Sequence, residues 1–180
     1  MIIVLLANGF EEIEALTPVD MLRRAGKTVV TASVTGTKEV RGSHGIPIIA
    51  DALAEEITGD DAQALILPGG MPGSLGLDAS KETDRLINKI LARGGRLAAL
   101  CAAPLILGRR GILNGKRAVC YPGFENELIG ATVCDAPVVT DGNITTAKGM
   151  GAALAFSKEL ISLLVSPEES RRLAEGICEN

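Results

Sequence analysis

Aromatic residues are scarce in this chain of 180 residues, which has three phenylalanines, one tyrosine and no tryptophan. Its 18 basic and 22 acidic residues give a formal net charge of −4, and no lysine or arginine run stands out. A nucleic-acid surface combines a basic stripe with stacking aromatic rings. Because both features are lacking, we expect no nucleic-acid partner.

Long hydrophobic runs are also missing. The first residues, Met1-Ile-Ile-Val-Leu-Leu-Ala7, have no basic flank and are too short for the apolar region of a signal peptide. No later apolar run approaches the length of a membrane span. We therefore expect no membrane partner and a cytoplasmic location.

Residues that bind metals or nucleotides are few. The chain has one histidine, His44, and its four cysteines form no CxxC pair, whereas a structural zinc site needs four ligands at close spacings. The glycine turn at 68–73 has neither the spacing of a dinucleotide fingerprint nor a P-loop lysine. We expect no metal, no cofactor and, in a reducing compartment, free thiols.

Short apolar runs alternate with helical patterns along the whole chain. The runs are typical of strands buried on both faces and lie at 2–6, 28–34, 64–67, 96–100, 138–140 and 144–147. The helical patterns lie at 13–24, 81–93, 102–110, 150–165 and 167–175. An irregular β excursion is expected at 40–50, and a hairpin turn at 141–143. This alternation predicts one α/β domain over 1–180, a doubly wound sandwich with a mainly parallel sheet.

Cys101 stands where a buried strand runs into a helix, in the segment Ala98-Ala-Leu-Cys101-Ala-Ala-Pro104. Small residues after a nucleophile permit the tight turn of a nucleophile elbow, and free amides at a helix start favour a thiolate. A buried structural cysteine at a strand end is the alternative. We expect Cys101 to be the most reactive thiol of the chain.

Glu14 follows the first predicted strand, within Gly9-Phe-Glu-Glu-Ile-Glu14. Pro18 has no N–H to bond the Glu14 carbonyl, so either the first helical turn is loosened or the regular helix begins only at Pro18. A carboxyl group packed against a thiolate is expected to keep its proton at neutral pH. It would then donate a hydrogen bond that lowers the pKa of the Cys101 thiol.

These segments, with Pro68-Gly-Gly70 and Lys148-Gly-Met-Gly151, resemble the DJ-1/PfpI superfamily, in particular the DJ-1-like branch often described as ThiJ-like thiamine-biosynthesis proteins. The resemblance spans residue 1 to about residue 165. It implies a flavodoxin-like fold, a homodimer and Cys101 as nucleophile with Glu14 as its partner. It also implies that the backbone amides of Gly70 and Ala102 form an anion pocket, which Gly69 adjoins.

Several positions depart from the family pattern. Ala102 follows Cys101 where the PfpI-type proteases carry a histidine, so proteolysis is not expected. Tyr121 stands near the place of a family histidine and is a candidate pocket residue. His44 falls where related sequences carry an arginine that faces the dimer partner, and it is a second candidate. Gly149 and Met150 are further candidates, in a turn that is usually Gly-Pro-Gly.

The resemblance leaves three functions open. The first is a cofactor-independent glyoxalase or deglycase that acts on a small-molecule carbonyl substrate through Cys101 and Glu14. The second is an oxidative-stress sensor or redox-dependent chaperone in which Cys101 is oxidised without turnover. The third is a cysteine amidase or hydratase.

Overall fold

A seven-stranded sheet forms the centre of the computed structural model, which describes residues 1–178. These described residues form eleven strands: β1 Ile2–Leu6, β2 Val29–Ser33, β3 Glu39–Arg41, β4 Pro47–Ile49, β5 Ala52–Leu53, β6 Ala64–Leu67, β7 Arg96–Leu100, β8 Arg117–Ala118, β9 Thr132–Val133, β10 Val138–Asp141 and β11 Ile144–Ala147. Continuous burial of the central strands β1 and β6 is typical of a sheet covered on both faces.

The order of the central sheet is β10-β11-β7-β6-β1-β2-β5. Every neighbouring pair is parallel except β10 and β11, which form an antiparallel hairpin closed between Asp141 and Ile144. The five strands β2-β1-β6-β7-β11 follow the flavodoxin-like order. The prediction of an α/β, flavodoxin-like sandwich with a mainly parallel sheet is therefore confirmed, as is the hairpin turn.

Six α-helices accompany the sheet within residues 1–178: α1 Glu12–Arg24, α2 Gly73–Asp78, α3 Lys81–Ala92, α4 Pro104–Arg109, α5 Ala153–Leu164 and α6 Pro167–Gly176. Alternate strand residues point to opposite faces, so β1 contributes to two separate cores. Ile3 packs with α3 and α4 on one face, and Ile2 packs with α1 and α5 on the other. None of these helices combines the length and apolarity needed to cross a bilayer.

The structure differs from the predicted elements mainly around the turns. The helix expected over 102–110 begins only at Pro104, because Cys101 adopts a positive φ of 61° and a turn follows it. The helix expected over 150–165 opens with a 3₁₀ turn, Met150–Ala152. The excursion at 40–50 is a two-stranded hairpin of β3 and β4. Helix α2 and the short pair β8–β9 were not predicted from the sequence.

Candidate active site

The predicted site residues meet at the carboxyl ends of β1, β6 and β7, which are neighbours in the sheet. Glu14 lies in the helix that follows β1, Gly69 and Gly70 follow β6, and Cys101 follows β7. Connections leave β1 and β6 in opposite directions, towards β2 and β7. Ligands bind at such switch points in open α/β sheets.

Cys101 occupies a nucleophile elbow. Its φ of 61° lies in the left-handed region, which is uncommon for a residue with a side chain. Backbone hydrogen bonds hold it there: its N–H donates to the carbonyl of Ala147 at 2.9 Å, and its carbonyl accepts from the N–H of Tyr121 at 2.8 Å. The sharp turn leaves the side chain partly exposed at the end of the strand, as a nucleophile requires.

Glu14 lies in the first turn of α1 and is 1% exposed. The helix begins at Glu12 and passes through Pro18, so the alternative of a regular helix that begins only at Pro18 is wrong. The Glu14 carboxylate accepts a hydrogen bond from the N–H of Gly69 at 2.9 Å. The side chain therefore points across the sheet end towards the loop after β6.

The carboxyl of Glu14 lies beside the thiol of Cys101, and the backbone amides of Gly70 and Ala102 face the sulfur, so that all three act on the pKa of the thiol. A side chain on the loop after β6 would break this arrangement. A Cβ at Gly69 would lie 2.5 Å from Oε2 of Glu14, and one at Gly70 would lie 2.4 Å from the amide nitrogen of Glu11. Gly69 thus lets the loop backbone approach the pair closely, and Gly70 lets it approach the backbone just before α1.

Burial, above all, raises the pKa of Glu14 to about 7. The charge of Glu11 acts in the same direction, whereas hydrogen bonds from Cys101, Gly69 and the backbone of Met150 oppose it. The expectation of a raised Glu14 pKa is therefore confirmed. A carboxyl group that leaves water without a cationic partner holds its proton more tightly.

The pKa of Cys101 differs from the prediction. Burial, the charge of an ionised Glu14 and the hydrogen bond to that carboxylate raise it to about 12, against the lowering effect of the Gly70 and Ala102 amides. The expected lowering of the thiol pKa is thus wrong when Glu14 is ionised. Between about pH 7 and about pH 12 the pair shares one proton, which lies either on the carboxyl or on the sulfur.

The other candidate pocket residues fall into two groups. Tyr121, Gly149 and Met150 lie together beside the pair, since a Cβ at Gly149 would stand 3.2 Å from the Tyr121 ring and the N–H of Tyr121 donates to the carbonyl of Cys101. His44 instead lies at the turn between β3 and β4, where it contacts Glu12.

Glu12 and Glu11 are structural members of the site region that the sequence did not single out. Glu12 is buried and binds the β3–β4 turn: its carboxylate accepts from the His44 N–H at 2.9 Å and contacts the ring Nδ1 at 3.0 Å. Oε2 of Glu11 caps α1 by accepting from the N–H of Glu14 at 2.7 Å. The three-residue spacing between Glu11 and Glu14 is the sequence signal of such a cap.

Ligand atoms of Glu11, Glu12 and His44 lie within 4.8 Å of one another. Burial opposes ionisation of Glu12, but hydrogen bonds from the His44 ring and from backbone amides outweigh it and lower the pKa to about 2. The hydrogen bond to Glu12, followed by its charge, raises the pKa of His44. The Glu12 carboxylate and the His44 ring thus stabilise each other's charged forms.

The His44 ring is expected to titrate above its ordinary pKa of roughly 6.5, and Glu12→Gln should return it towards that value. The stabilisation from this pair is complete between about pH 4.5 and about pH 6.5. It is lost as the pH rises through the raised His44 pKa and as the pH falls through the Glu12 pKa of about 2. Because His44 is the sole histidine, an NMR titration of its ring protons measures this directly. Glu55→Gln, an exposed site elsewhere, is the control, and an ordinary pKa in the unmodified protein would contradict the prediction.

Comparisons with known proteins decide the family. The model of the DJ-1/PfpI family matches residues 1–163. The chain belongs to the DJ-1/PfpI family. It is 34% identical to the protein dj-1beta of Drosophila melanogaster over 177 residues, which is 97% of this chain and 95% of that protein.

Two further relatives bear on function and fold. A deglycase of Pyrococcus abyssi is 33% identical over 166 residues, or 91% of this chain and 98% of the deglycase. The structure of oxidised Toxoplasma gondii DJ-1 superimposes with a TM-score of 0.94 at 34% identity, over 98% of this chain and 97% of that one. The resemblance inferred from the Glu14, Pro68-Gly-Gly70 and Cys101 segments is confirmed.

Proposed function

We propose that this DJ-1/PfpI family protein is a cofactor-independent enzyme that converts 2-oxoaldehydes into 2-hydroxy acids. The observation that carries the proposal is the pair of a buried Glu14 and a partly exposed Cys101, with the amides of Gly70 and Ala102 facing the sulfur. It combines a nucleophile, a group whose pKa of about 7 suits proton transfer at neutral pH, and donors for a developing oxyanion.

The reaction begins from the form of the pair in which Glu14 holds the shared proton. The Cys101 thiolate attacks the aldehyde carbon, the electron pair of the C=O bond moves to oxygen, and the oxyanion takes the proton of Glu14. The Gly70 and Ala102 amides stabilise the oxyanion as it forms. The product of this step is a hemithioacetal, and Glu14 is left as a carboxylate.

The Glu14 carboxylate then removes the proton from the former aldehyde carbon and returns it to the neighbouring carbon. The proton of the hemithioacetal hydroxyl moves to the former ketone oxygen, which becomes a hydroxyl, while the hemithioacetal oxygen becomes the thioester carbonyl. The result is a thioester of a 2-hydroxy acid on Cys101. Water hydrolyses the thioester, releasing the acid and the thiol, so the net change is the addition of one water to the 2-oxoaldehyde. Hydrolysis of 2-oxoaldehyde adducts, as the name of the Pyrococcus relative suggests, is a variant of the same chemistry.

The test is turnover of methylglyoxal, followed by chiral analysis of the lactate formed. Cys101→Ala is expected to abolish turnover, whereas Cys134→Ala, which removes a partly exposed thiol just after β9, should leave it unchanged. Absence of turnover by the unmodified protein across a panel of 2-oxoaldehydes would refute the proposal.

A second function uses the same sulfur as a redox sensor. The amides of Gly70 and Ala102 and a protonated Glu14 would hold the oxygens of a sulfinate, and the similar Toxoplasma protein was solved in an oxidised form. Two peroxide molecules would each add one oxygen to the thiolate, remove two electrons and leave as water. A protein that forms this sulfinate but turns over no carbonyl would favour the sensor.

We further propose a homodimer in a cytoplasmic location. Apolar side chains on α1 and the β3–β4 turn are exposed, among them Ile13 at 48% and Ile46 at 54%, and they line one groove with Leu16 and Leu154. Contiguous exposed apolar surface is typical of an interface, and His44 would then lie at its edge.

Light scattering at tens of micromolar protein should give the mass of a dimer. Ile13→Arg is expected to shift the mass towards that of the monomer, because a charge would be buried without a partner. Leu163→Arg changes a side chain of similar exposure outside the groove and should have no effect. A monomeric unmodified protein would count against the interface.

A further inference from the structure

An apolar cleft of about 440 Å³ lies beside the Glu14–Cys101 pair. Pockets that bind small ligands typically have volumes of about 300–1,000 Å³. Most of its wall is apolar, and the wall includes Tyr121, Pro122, Pro137, Met150 and Ala152. Tyr121 and Met150 are 51% and 50% exposed, so a bound apolar group would remove large side chains from water.

The wall of the cleft is bonded directly to the reactive pair. The N–H of Tyr121 donates to the carbonyl of Cys101 at 2.8 Å, and the backbone of Met150 lies close enough to the carboxyl of Glu14 to lower its pKa. The cleft therefore has a fixed position relative to the sulfur. A substrate bonded to Cys101 would have its remaining substituent beside these two side chains.

The charged residue of the wall is Lys148, and its ammonium group donates to Oδ1 of Asp135 at 2.7 Å. Because the Lys148 charge is paired with Asp135 at the rim, a ligand in the cleft would contact mainly hydrocarbon and ring surface. Such a surface favours an apolar substituent over a charged or strongly hydrated one.

We propose that this cleft is a specificity subsite for the apolar substituent of the substrate. The preferred substrates are then 2-oxoaldehydes that carry an aryl or longer alkyl group, rather than methylglyoxal. This inference rests on the proposed function for its substrate class, whereas the affinity of the cleft for an apolar arm can be measured on Cys101 without any turnover.

The direct test compares two alkylating reagents with the same reactive group, iodoacetamide and its N-benzyl derivative. The Cys101 thiolate displaces iodide from either reagent and forms a thioether. The second-order rate constants at Cys101 are followed by mass mapping, and their ratio is normalised to the ratio for free glutathione. The normalised ratio is expected to be at least about tenfold in favour of the benzyl reagent, because even one methylene group in an apolar pocket is worth that much.

Substitutions in the wall of the cleft test whether the preference for the benzyl reagent arises from the cleft. Tyr121→Ser and Met150→Asn should each reduce the ratio severalfold, Tyr121→Phe should preserve it because the ring remains, and Leu163→Asn, outside the cleft, should leave it unchanged. A ratio near one in the unmodified protein overturns the proposal. A ratio that persists in both Tyr121→Ser and Met150→Asn overturns it as well, and so does a lack of labelling at Cys101.

Turnover separates this inference from the proposed function. The ratio of kcat/KM for phenylglyoxal over methylglyoxal should exceed one and should fall in the same variants. If neither aldehyde is turned over while the alkylation ratio behaves as expected, the proposed function fails and the apolar subsite stands. If both aldehydes are turned over and the ratio of their kcat/KM values is near one or is the same in the wall variants, the specificity inference fails and the proposed function stands.

Discussion

Glu14→Leu is expected to slow alkylation of Cys101 at neutral pH by about tenfold or more. In the unmodified protein the pair loses its first proton near the Glu14 pKa of about 7. A carboxylic O–H is a strong hydrogen-bond donor and a thiol S–H a weak one. The form in which Glu14 keeps the shared proton and the sulfur is a thiolate thus retains the stronger bond.

Leucine removes both the donor and the second site for the proton. The thiol then titrates alone, and its burial should keep its pKa above the ordinary value of roughly 8.5. The inflection of the alkylation rate against pH is therefore expected to move upward by more than about one pKa unit, which corresponds to the tenfold loss of reactive thiolate at neutral pH.

Glu14→Gln is the matched control, since its amide keeps a donor for the thiolate and should have the smaller effect. The measurements are mass-mapped alkylation with limiting iodoacetamide and the ultraviolet absorbance of the thiolate against pH, with Cys101→Ala as the blank. Faster alkylation in Glu14→Leu, or an inflection that moves downward, would show that the shared proton resides on the sulfur and that Glu14 suppresses the thiolate.

The elements that the sequence predicts well are those determined by neighbouring residues. The strand Ile2–Leu6 is continuously apolar and lies in the middle of the sheet, and Ser166 caps α6 as its position before Pro167 indicates. The strand-end positions of Cys101 and the glycine pair likewise follow from local pattern. Parallel strands bring their carboxyl ends to one edge, so the pair itself could be anticipated.

Features that depend on contacts between residues far apart in the chain could not be predicted from the local sequence pattern. The sign of the Cys101 pKa shift depends on how deeply both partners are buried and on whether Glu14 is ionised. Neither the burial nor the ionisation state can be inferred from the spacing of residues in the sequence. Glu12 reads as an ordinary acidic residue in a first helical turn, yet the β3–β4 turn, more than thirty residues away, buries it. The apolar cleft likewise arises from the meeting of two loops, around Tyr121 and Met150.

Gly69→Ala is expected to reduce the reactivity of Cys101 by about a hundredfold, the loss associated with a displacement of roughly 1 Å at a reacting group. The added Cβ would lie 2.5 Å from Oε2 of Glu14, 2.6 Å from the Cβ of Cys101 and 2.9 Å from the carbonyl of Leu100. The last two atoms belong to the strand and the elbow and cannot move without the backbone. The loop at Gly69 must therefore move away from the strand end, and Glu14 loses its bond of 2.9 Å from the Gly69 amide.

The φ of Gly69 is not in the left-handed region, so alanine should fit the backbone and the effect should come from contact alone. Overpacking of this kind costs about 1–3 kcal/mol of stability, and the alkylation rates are therefore compared at a temperature where circular dichroism shows both proteins folded. Gly176→Ala is the control because a Cβ there meets no atom within 4 Å. If Gly69→Ala reacts at the rate of the unmodified protein, the close approach of this loop does not position Glu14 against Cys101, and the reactivity of the thiol must arise from the elbow and the Gly70 and Ala102 amides alone.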